Sequence, residues 1–501
     1  MKSALSAFVR DSGDQVAETG APTATRPIPG PAPLSLEALK DVSVIFFEGL
    51  HVAQLKFSEK YGPVCRFANP ASLNGATSWV FINSPENIQH VCATNVRNYS
   101  RRYLPDIYTY VTHGKGILGS QDEYNARHRR LCSGPFRNKW QLQRFSSVVV
   151  ERSKRLVDIF SAAAAADPSG AFTTDVATQT QRLTLDVVGL VAFSHDFACV
   201  EQVQRDLAGA TAGDGRSGVL QDRVLWAVNT FGEVLAQVFI TPLPLLKAMD
   251  RLGAPHLRQL GEAVSVMRAA MLDVIAATED DGRGLSDEEL WEDVHDIMGA
   301  GHETTATTTA ALLYCISAHP HVRQRLEEEL DAVLADGEAP TYESLERMPY
   351  LQACAKEVMR LYPAIPVFPR EAARPDVLPT GHGVAAGDVV FMSSYALGRS
   401  EAVWGPDVLE FDPDRFSPER EARQHRFQWL PFGAGPRMCL GASFAQMSVA
   451  LMAATLLQRF RFTPLAPCSP LIPVGYDITM NFGPSGGLRM RVAPRQRGQQ
   501  Q

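Results

Sequence analysis

Apolar positions along the chain recur mostly at the spacing of one helix face, about every 3.6 residues. Ser84 followed by Pro85 is a helix-start signal, and helical periodicity dominates from there on. The pattern predicts helices over Asp122–Phe136, Trp140–Ala164, Thr174–Phe193, Val219–Phe239 and Pro255–Thr278, with loops at Ala212–Gly215 and Glu279–Gly282. Ser286 with Glu289 forms a capping box ahead of a run reaching Ala318 and stopping before Pro320. That helix would be on the order of 48 Å long. Pro349 opens a further helix carrying Glu357 and Arg360, and a last apolar helix spans Ala442–Phe460.

Short β-prone runs occur at Val64–Phe67, at Trp79–Ile82, after Pro363, and between Pro473 and Val492. The fold class is therefore mainly α with a smaller β region, in one unit without an internal boundary. Residues 1–26 are expected to form a mobile N-terminal tail, residues 27–493 a single domain opening on the stiff Pro27–Pro33 segment, and residues 494–501 a disordered Arg- and Gln-rich tail.

Composition narrows the function. Of 501 residues, 45% are hydrophobic and 21% charged, as in an ordinary globular protein, and the net charge of −7 argues against nucleic acid as a partner. Eight cysteines without any C-x-x-C pair point to an intracellular, reducing compartment, cytoplasmic or plastid. No window reaches the roughly 18 apolar residues of a membrane span, because the best early run, Val42–Leu55, is broken by Glu48 and His51. No transmembrane anchor is expected, and the protein would be soluble or in peripheral contact with a membrane. The basic, acid-free segment Met1–Arg10 hints at a transit peptide, against which Asp11, Asp14 and Glu18 speak.

The candidate chemistry gathers in Leu430-Pro431-Phe432-Gly433-Ala434-Gly435-Pro436-Arg437-Met438-Cys439-Leu440-Gly441. Gly433, Gly435 and Gly441 allow a tight loop whose backbone can lie against a flat ligand. Cys439, near the start of a helix, is placed for thiolate character, shielded by Phe432. A lone cysteine is more commonly an inert buried thiol, but that reading leaves its neighbours unexplained. Within the long helix, Ala300-Gly301-His302-Glu303-Thr304-Thr305 combines two small residues, against which a cofactor or substrate could lie, with a hydroxyl and a carboxylate able to move protons. His302 reads as a packing or solvent-side residue.

The spacing F-x-x-G-x-R-x-C-x-G from Phe432 to Gly441 resembles the haem-ligand signature of the cytochrome P-450 monooxygenases, and A-G-x-E-T-T resembles the central-helix motif of the same family. The E-x-x-R of Glu357 and Arg360 and the P-x-R-F of Pro413–Phe416 complete four ordered motifs. The resemblance implies the family fold, with a long central helix over haem b (iron protoporphyrin IX) and the Cys loop beneath. It implies Cys439 as the axial metal ligand, and Thr304 and Glu303 as the catalytic pair guiding protons to dioxygen. Arg437, Arg370 and Arg129 would bind the propionates, while Phe432, Gly433, Gly441, Ala300 and Gly301 would lie against the cofactor. Glu357, Arg360 and Arg415 would form a structural network holding the Cys loop. A Trp or His usually stands four residues before Arg129; here it is Asn125 beside Tyr124, and either could supply a weaker propionate contact.

The implied activity is insertion of one oxygen atom from O2 into a C–H bond of a lipophilic small-molecule substrate. The stretches Asn98–Ser100, Gly114–Leu118, Gly301–Thr305 and Pro340–Leu345 resemble carotenoid-ring hydroxylases, and fatty-acid hydroxylases share much of this. The chain ends 62 residues beyond Cys439 (501 minus 439), so electrons are expected from a separate NADPH-dependent reductase or ferredoxin. Arg127 and Arg130 could dock such a partner, or could be a solvated basic face. The stretch Tyr99–Leu118 is expected to form a lid loop. A peroxide-rearranging or dehydrating enzyme of the same fold, or a haem-binding sensor, are the alternatives.

Overall fold

The computed structural model describes residues 25–32, 35–68, 78–104, 106–112, 115–207, 220–238, 241–276, 286–465, 480 and 487–496. The expected tail up to residue 24, the two expected loops and most of the Pro473–Val492 stretch lie outside the described residues.

The axis of the molecule is the helix Asp287–Ala318, 32 residues long. Its capping box is made in both directions: Ser286 Oγ accepts from Glu289 N at 3.3 Å, and Glu289 Oε2 accepts from Ser286 N at 2.9 Å. Towards its C-terminus residues 310–316 are apolar all round, and Ala310, Ala311, Leu312 and Leu313 are fully buried. Around it pack Val176–Phe193, Pro255–Ala276, Pro349–Leu361 and Ala442–Arg459. The helices Asp122–Arg137, Lys139–Ala166 and Leu220–Gln237 also fall close to their expected positions.

The β region consists of separate sheets at the edge of this bundle. One has the strand order Val64–Ala68, Ser78–Ile82, Val389–Ser393, Val367–Glu371; its central pairing is parallel and its outer pairings antiparallel. Another sets Arg489–Pro494 between Phe172–Asp175 and Phe460–Pro464, all antiparallel.

Several expectations need correcting. Thr174 belongs to the strand Phe172–Asp175, not to the following helix. Gly170 reverses the chain at φ +66°, and Asp175 then caps Val176–Phe193 by accepting from Ala177 N at 3.2 Å. The apolar run Val42–Leu55 lies in a helix pair, Leu36–Glu48 and Leu50–Tyr61, broken at Gly49, where φ is +94°. The stretch Tyr99–Leu118 contains the helix Asp106–Thr112. The C-terminal tail is anchored at its start: Pro494 ends a strand, and Arg495 donates to Asp331 Oδ2 at 2.6 Å. Among the described residues no helix is long and apolar enough to cross a membrane.

Candidate active site

The Cys loop is closed by its own backbone. Cys439 N donates to the Phe432 carbonyl at 2.8 Å, and a short 3-10 turn, Gly435–Arg437, lies between them. Gly435 is required twice over. Its φ is +71°, and a Cβ there would lie 2.0 Å from the Cys92 carbonyl oxygen. Gly433, at φ +64°, and Gly441 are different, since a Cβ at either would meet no protein atom within 4 Å. Those two positions of the Cys loop thus face open space.

Cys439 is exposed, whereas Cys65, Cys92, Cys199, Cys315 and Cys354 are buried and Cys132 is half-buried. Crowding by protein still raises the Cys439 thiol above its ordinary range, while the Gly441 N–H, Arg129 and Arg102 pull it back toward ionisation. Cys439 is thus reachable at the surface while protein crowds its other sides.

Arginines gather beside it. Arg129 Nη2 donates to the Met438 carbonyl at 2.8 Å, and Arg102 Nη2 reaches the Arg437 carbonyl at 3.4 Å. Arg437 is buried and donates to the Ser120 carbonyl at 2.8 Å and to Gln121 Oε1 at 2.5 Å, while its Nη1 has no protein partner. Arg370, on the strand Val367–Glu371, is buried and donates to the Pro369 carbonyl at 2.9 Å. Desolvation first, then repulsion from Arg102, pushes Arg370 down to about 9. The same two causes push Arg437 down to about 10. Four guanidinium groups crowded together call for anions, and an anionic ligand placed among them would relieve both costs. Arg102 is the member that sequence reasoning missed; its only signal was position inside the expected lid.

The other candidate for such a contact is engaged elsewhere. Asn125 is buried and donates to the Ile117 carbonyl at 2.8 Å and to Ser120 Oγ at 3.1 Å, so it braces the neighbouring loop. Tyr124 stacks on His128 with ring centroids 4.3 Å apart. Arg127, half exposed, pairs with the central helix, its Nη1 2.5 Å from Glu289 Oε1.

On the central helix, Ala300 is exposed although it lies mid-helix within the bundle. Thr304 is partly exposed, and its Oγ1 donates to the Ala300 carbonyl at 2.7 Å; Glu303 is half-buried beside it. Gly301 serves a different purpose from the one expected. The space left by its missing Cβ is taken by Val188 of the helix Val176–Phe193, whose Cγ2 would stand 3.0 Å away. His302 is fully buried, and burial pushes its imidazole down to about 4, which fits a packing residue.

Glu357, Arg360 and Arg415 meet in the core. Arg360 binds Glu357 bidentately, with both contacts at 2.7 Å, and Arg415 Nε lies 3.5 Å from Glu357 Oε1. From the same helix, the Lys356 carbonyl accepts from Trp429 Nε1 at 3.1 Å, and the Trp429 ring stands edge-on to Phe432 at 6.0 Å. A path of contacts thus runs from this helix to the Cys loop.

Two buried carboxylates on the central helix also went unread in the sequence. Asp293 Oδ2 is 2.7 Å from His128 Nδ1, and Asp296 Oδ1 accepts from Tyr108 Oη at 2.6 Å.

Comparison with known proteins places this site in context. The family described as Cytochrome P450 matches residues 27–474. Among curated relatives, taurochenodeoxycholic 6 alpha-hydroxylase of Sus scrofa is 29% identical over 414 residues, covering 80% of this chain and 79% of the relative. Cytochrome P450 4A24 of Sus scrofa is 28% identical over 455 residues, covering 88% and 86%. Cytochrome P450 CYP94D109 of Paris polyphylla is 30% identical over 457 residues, covering 86% and 88%.

Proposed function

The chain belongs to the cytochrome P450 family, and from that premise we propose that Cys439 is the thiolate ligand of its haem and that the enzyme hydroxylates a long lipophilic substrate, a fatty acid or a carotenoid-like terpenoid. As a member of that family the chain is a haem-dependent monooxygenase. The observation that carries the assignment is an exposed cysteine at the edge of a cluster of four arginines, two of which, Arg129 and Arg102, act on its thiol, with free space at Gly433 and Gly441.

The donor set fits the cofactor. Arg102, Arg129, Arg370 and Arg437 would hold the two propionates, and the partnerless Arg437 Nη1 gains an acceptor there. Haem, when bound, supplies the dioxygen chemistry that puts one oxygen atom into a C–H bond and releases the other as water. The chain's own residues manage position and protons. Burial favours the neutral Cys439 thiol, and the Gly441 N–H, Arg129 and Arg102 oppose it, favouring the thiolate that would bind the iron. Thr304 keeps its hydroxyl on the Ala300 carbonyl and can turn it toward a ligand, while Glu303 can hold and pass a proton. Electrons would come from an NADPH-dependent reductase or a ferredoxin.

Two spectra test this. The reduced protein under carbon monoxide should show the far-red Soret band of thiolate ligation, and Cys439→Ser should abolish it; a band surviving in the serine variant overturns the ligand assignment. Titration of the ferric protein with fatty acids and with carotenoids should shift its spin state. A response confined to small polar molecules would exclude the lipophilic substrate.

A further inference from the structure

We propose that Asp296 is a positioning residue: it fixes the segment 116–118 and the helix Asp106–Thr112 against the central helix beside Ala300 and Arg102, and so sets how readily a bulky haem ligand leaves, a role that rests on the haem-site reading above. Asp296 precedes Ala300 by one helical turn, about 6 Å along the axis, and it is buried. Each of its oxygens holds a different element. Oδ1 accepts from Tyr108 Oη at 2.6 Å, and Oδ2 accepts from Leu118 N at 2.7 Å. Gly116 makes this approach possible, because a Cβ there would stand 2.3 Å from Asp296 Oδ2 and 2.7 Å from the Glu292 carbonyl.

The neighbouring groups reinforce the grip. Asp293 Oδ1 accepts from Ile117 N at 2.8 Å, so consecutive N–H groups of one loop are taken by two carboxylates of one helix. From the other side, Arg102 Nη1 donates to the Leu118 carbonyl at 3.1 Å, and Arg102 Nη2 reaches the Arg437 carbonyl at 3.4 Å. The Leu118 residue is thereby held by an acid on the central helix and by a cation beside Cys439. Aspartate is a poor helix-interior residue, and burying its charge is costly, so helix propensity does not account for it here. The donors it satisfies do.

Asparagine tests the role because its side chain offers one acceptor oxygen, not two. Asp296→Asn removes the charge and leaves an acceptor oxygen for only one of the two donors, so that Tyr108 Oη could at most accept a weaker neutral bond from the amide, whereas Tyr108→Phe removes the Tyr108 bond alone. The holoenzyme is loaded with 4-phenylimidazole, a bulky haem-iron ligand, or with imidazole, a small one, and dissociation is followed at the Soret band by stopped flow. Asp296→Asn should speed loss of 4-phenylimidazole by about tenfold to hundredfold, as expected for a hydrogen bond to a charged group. Tyr108→Phe should speed it less, and the imidazole rate should hold in both variants. An unchanged 4-phenylimidazole rate in a variant that keeps its full reduced carbon monoxide band overturns the proposal, as does equal acceleration of both ligands. If Asp296→Asn does not fold, Tyr108→Phe decides alone by the same comparison. Absence of the far-red band from the unsubstituted protein would instead overturn the haem-thiolate reading.

Discussion

At the scale of single residues, the site separates groups that act from groups that pack. Thr304 and Thr308 make the same bond, each hydroxyl donating to the carbonyl four residues before it. Thr308 is buried, while Thr304 is partly exposed next to the exposed Ala300. Only Thr304 can exchange its carbonyl for a ligand without unfolding a contact. Thr304→Ala should therefore cut substrate oxidation by about 100-fold, the lower bound for a lost proton-transfer group. Donor consumption should continue, with the missing electrons appearing as hydrogen peroxide, and Thr304→Ser should restore product. Product formed from a hydroperoxide substrate without any electron donor, at a rate unchanged in Thr304→Ala, would favour a peroxide-rearranging enzyme over a monooxygenase.

At the scale of elements, the legible parts were those whose cause is local. The capping box at Ser286 and Glu289 and the Pro349 start each announce themselves within one turn, and the helices begin there. The misplaced start at Thr174 shows the opposite case. Thr173 and Thr174 suit a strand, but the partner that makes one, Met490 and Arg491, lies more than 300 residues away in sequence. Arg102, Asp293 and Asp296 were illegible for the same reason, since their partners come from other elements. Asp186 is a further example, within the helix Val176–Phe193. Buried, it accepts from Cys199 N at 2.7 Å and Val200 N at 2.9 Å, and so caps the helix Val200–Leu207. Burial pushes its carboxyl up to about 6, against the pull of those two N–H groups. A carboxyl whose folded pKa exceeds its unfolded value binds more protons when folded. Its contribution to stability is thus largest below the unfolded pKa of about 4 and falls as pH rises to about 6, by a few kcal/mol in all. Asp186→Asn should flatten that part of the stability–pH curve measured by denaturant titration. An unaltered slope would mean that Asp186 titrates at its ordinary value when folded.

At the scale of the whole molecule, the Glu357 network joins segments that no single helix controls. Arg360 donates to the Gly398, Val408 and Glu410 carbonyls, and Arg415 to those of Trp404 and Asp407. Glu357 in turn balances both cations and accepts from Asp412 N at 3.0 Å. The network is thus mainly a way of satisfying carbonyls in the stretch between Gly398 and Asp412, which apart from the short helix Glu401–Trp404 has no regular structure to supply donors. This decides between two outcomes. Buried ion clusters can often be replaced by apolar side chains at little cost, because desolvation nearly cancels attraction. Here such a swap also orphans the carbonyls, at roughly 1–3 kcal/mol for each one left buried without a donor. Glu357→Ala should lose about 3–5 kcal/mol, the usual cost of stranding a buried charge. The triple replacement Glu357→Leu, Arg360→Leu, Arg415→Leu should be at least as unstable, by denaturant midpoint. Its haem-loaded yield should fall in step, because Trp429 ties the Lys356 carbonyl to Phe432 of the Cys loop. If the apolar triple instead recovers the stability lost in Glu357→Ala, the arginines are not there to cap the carbonyls, and the segment between Gly398 and Asp412 is held by packing alone.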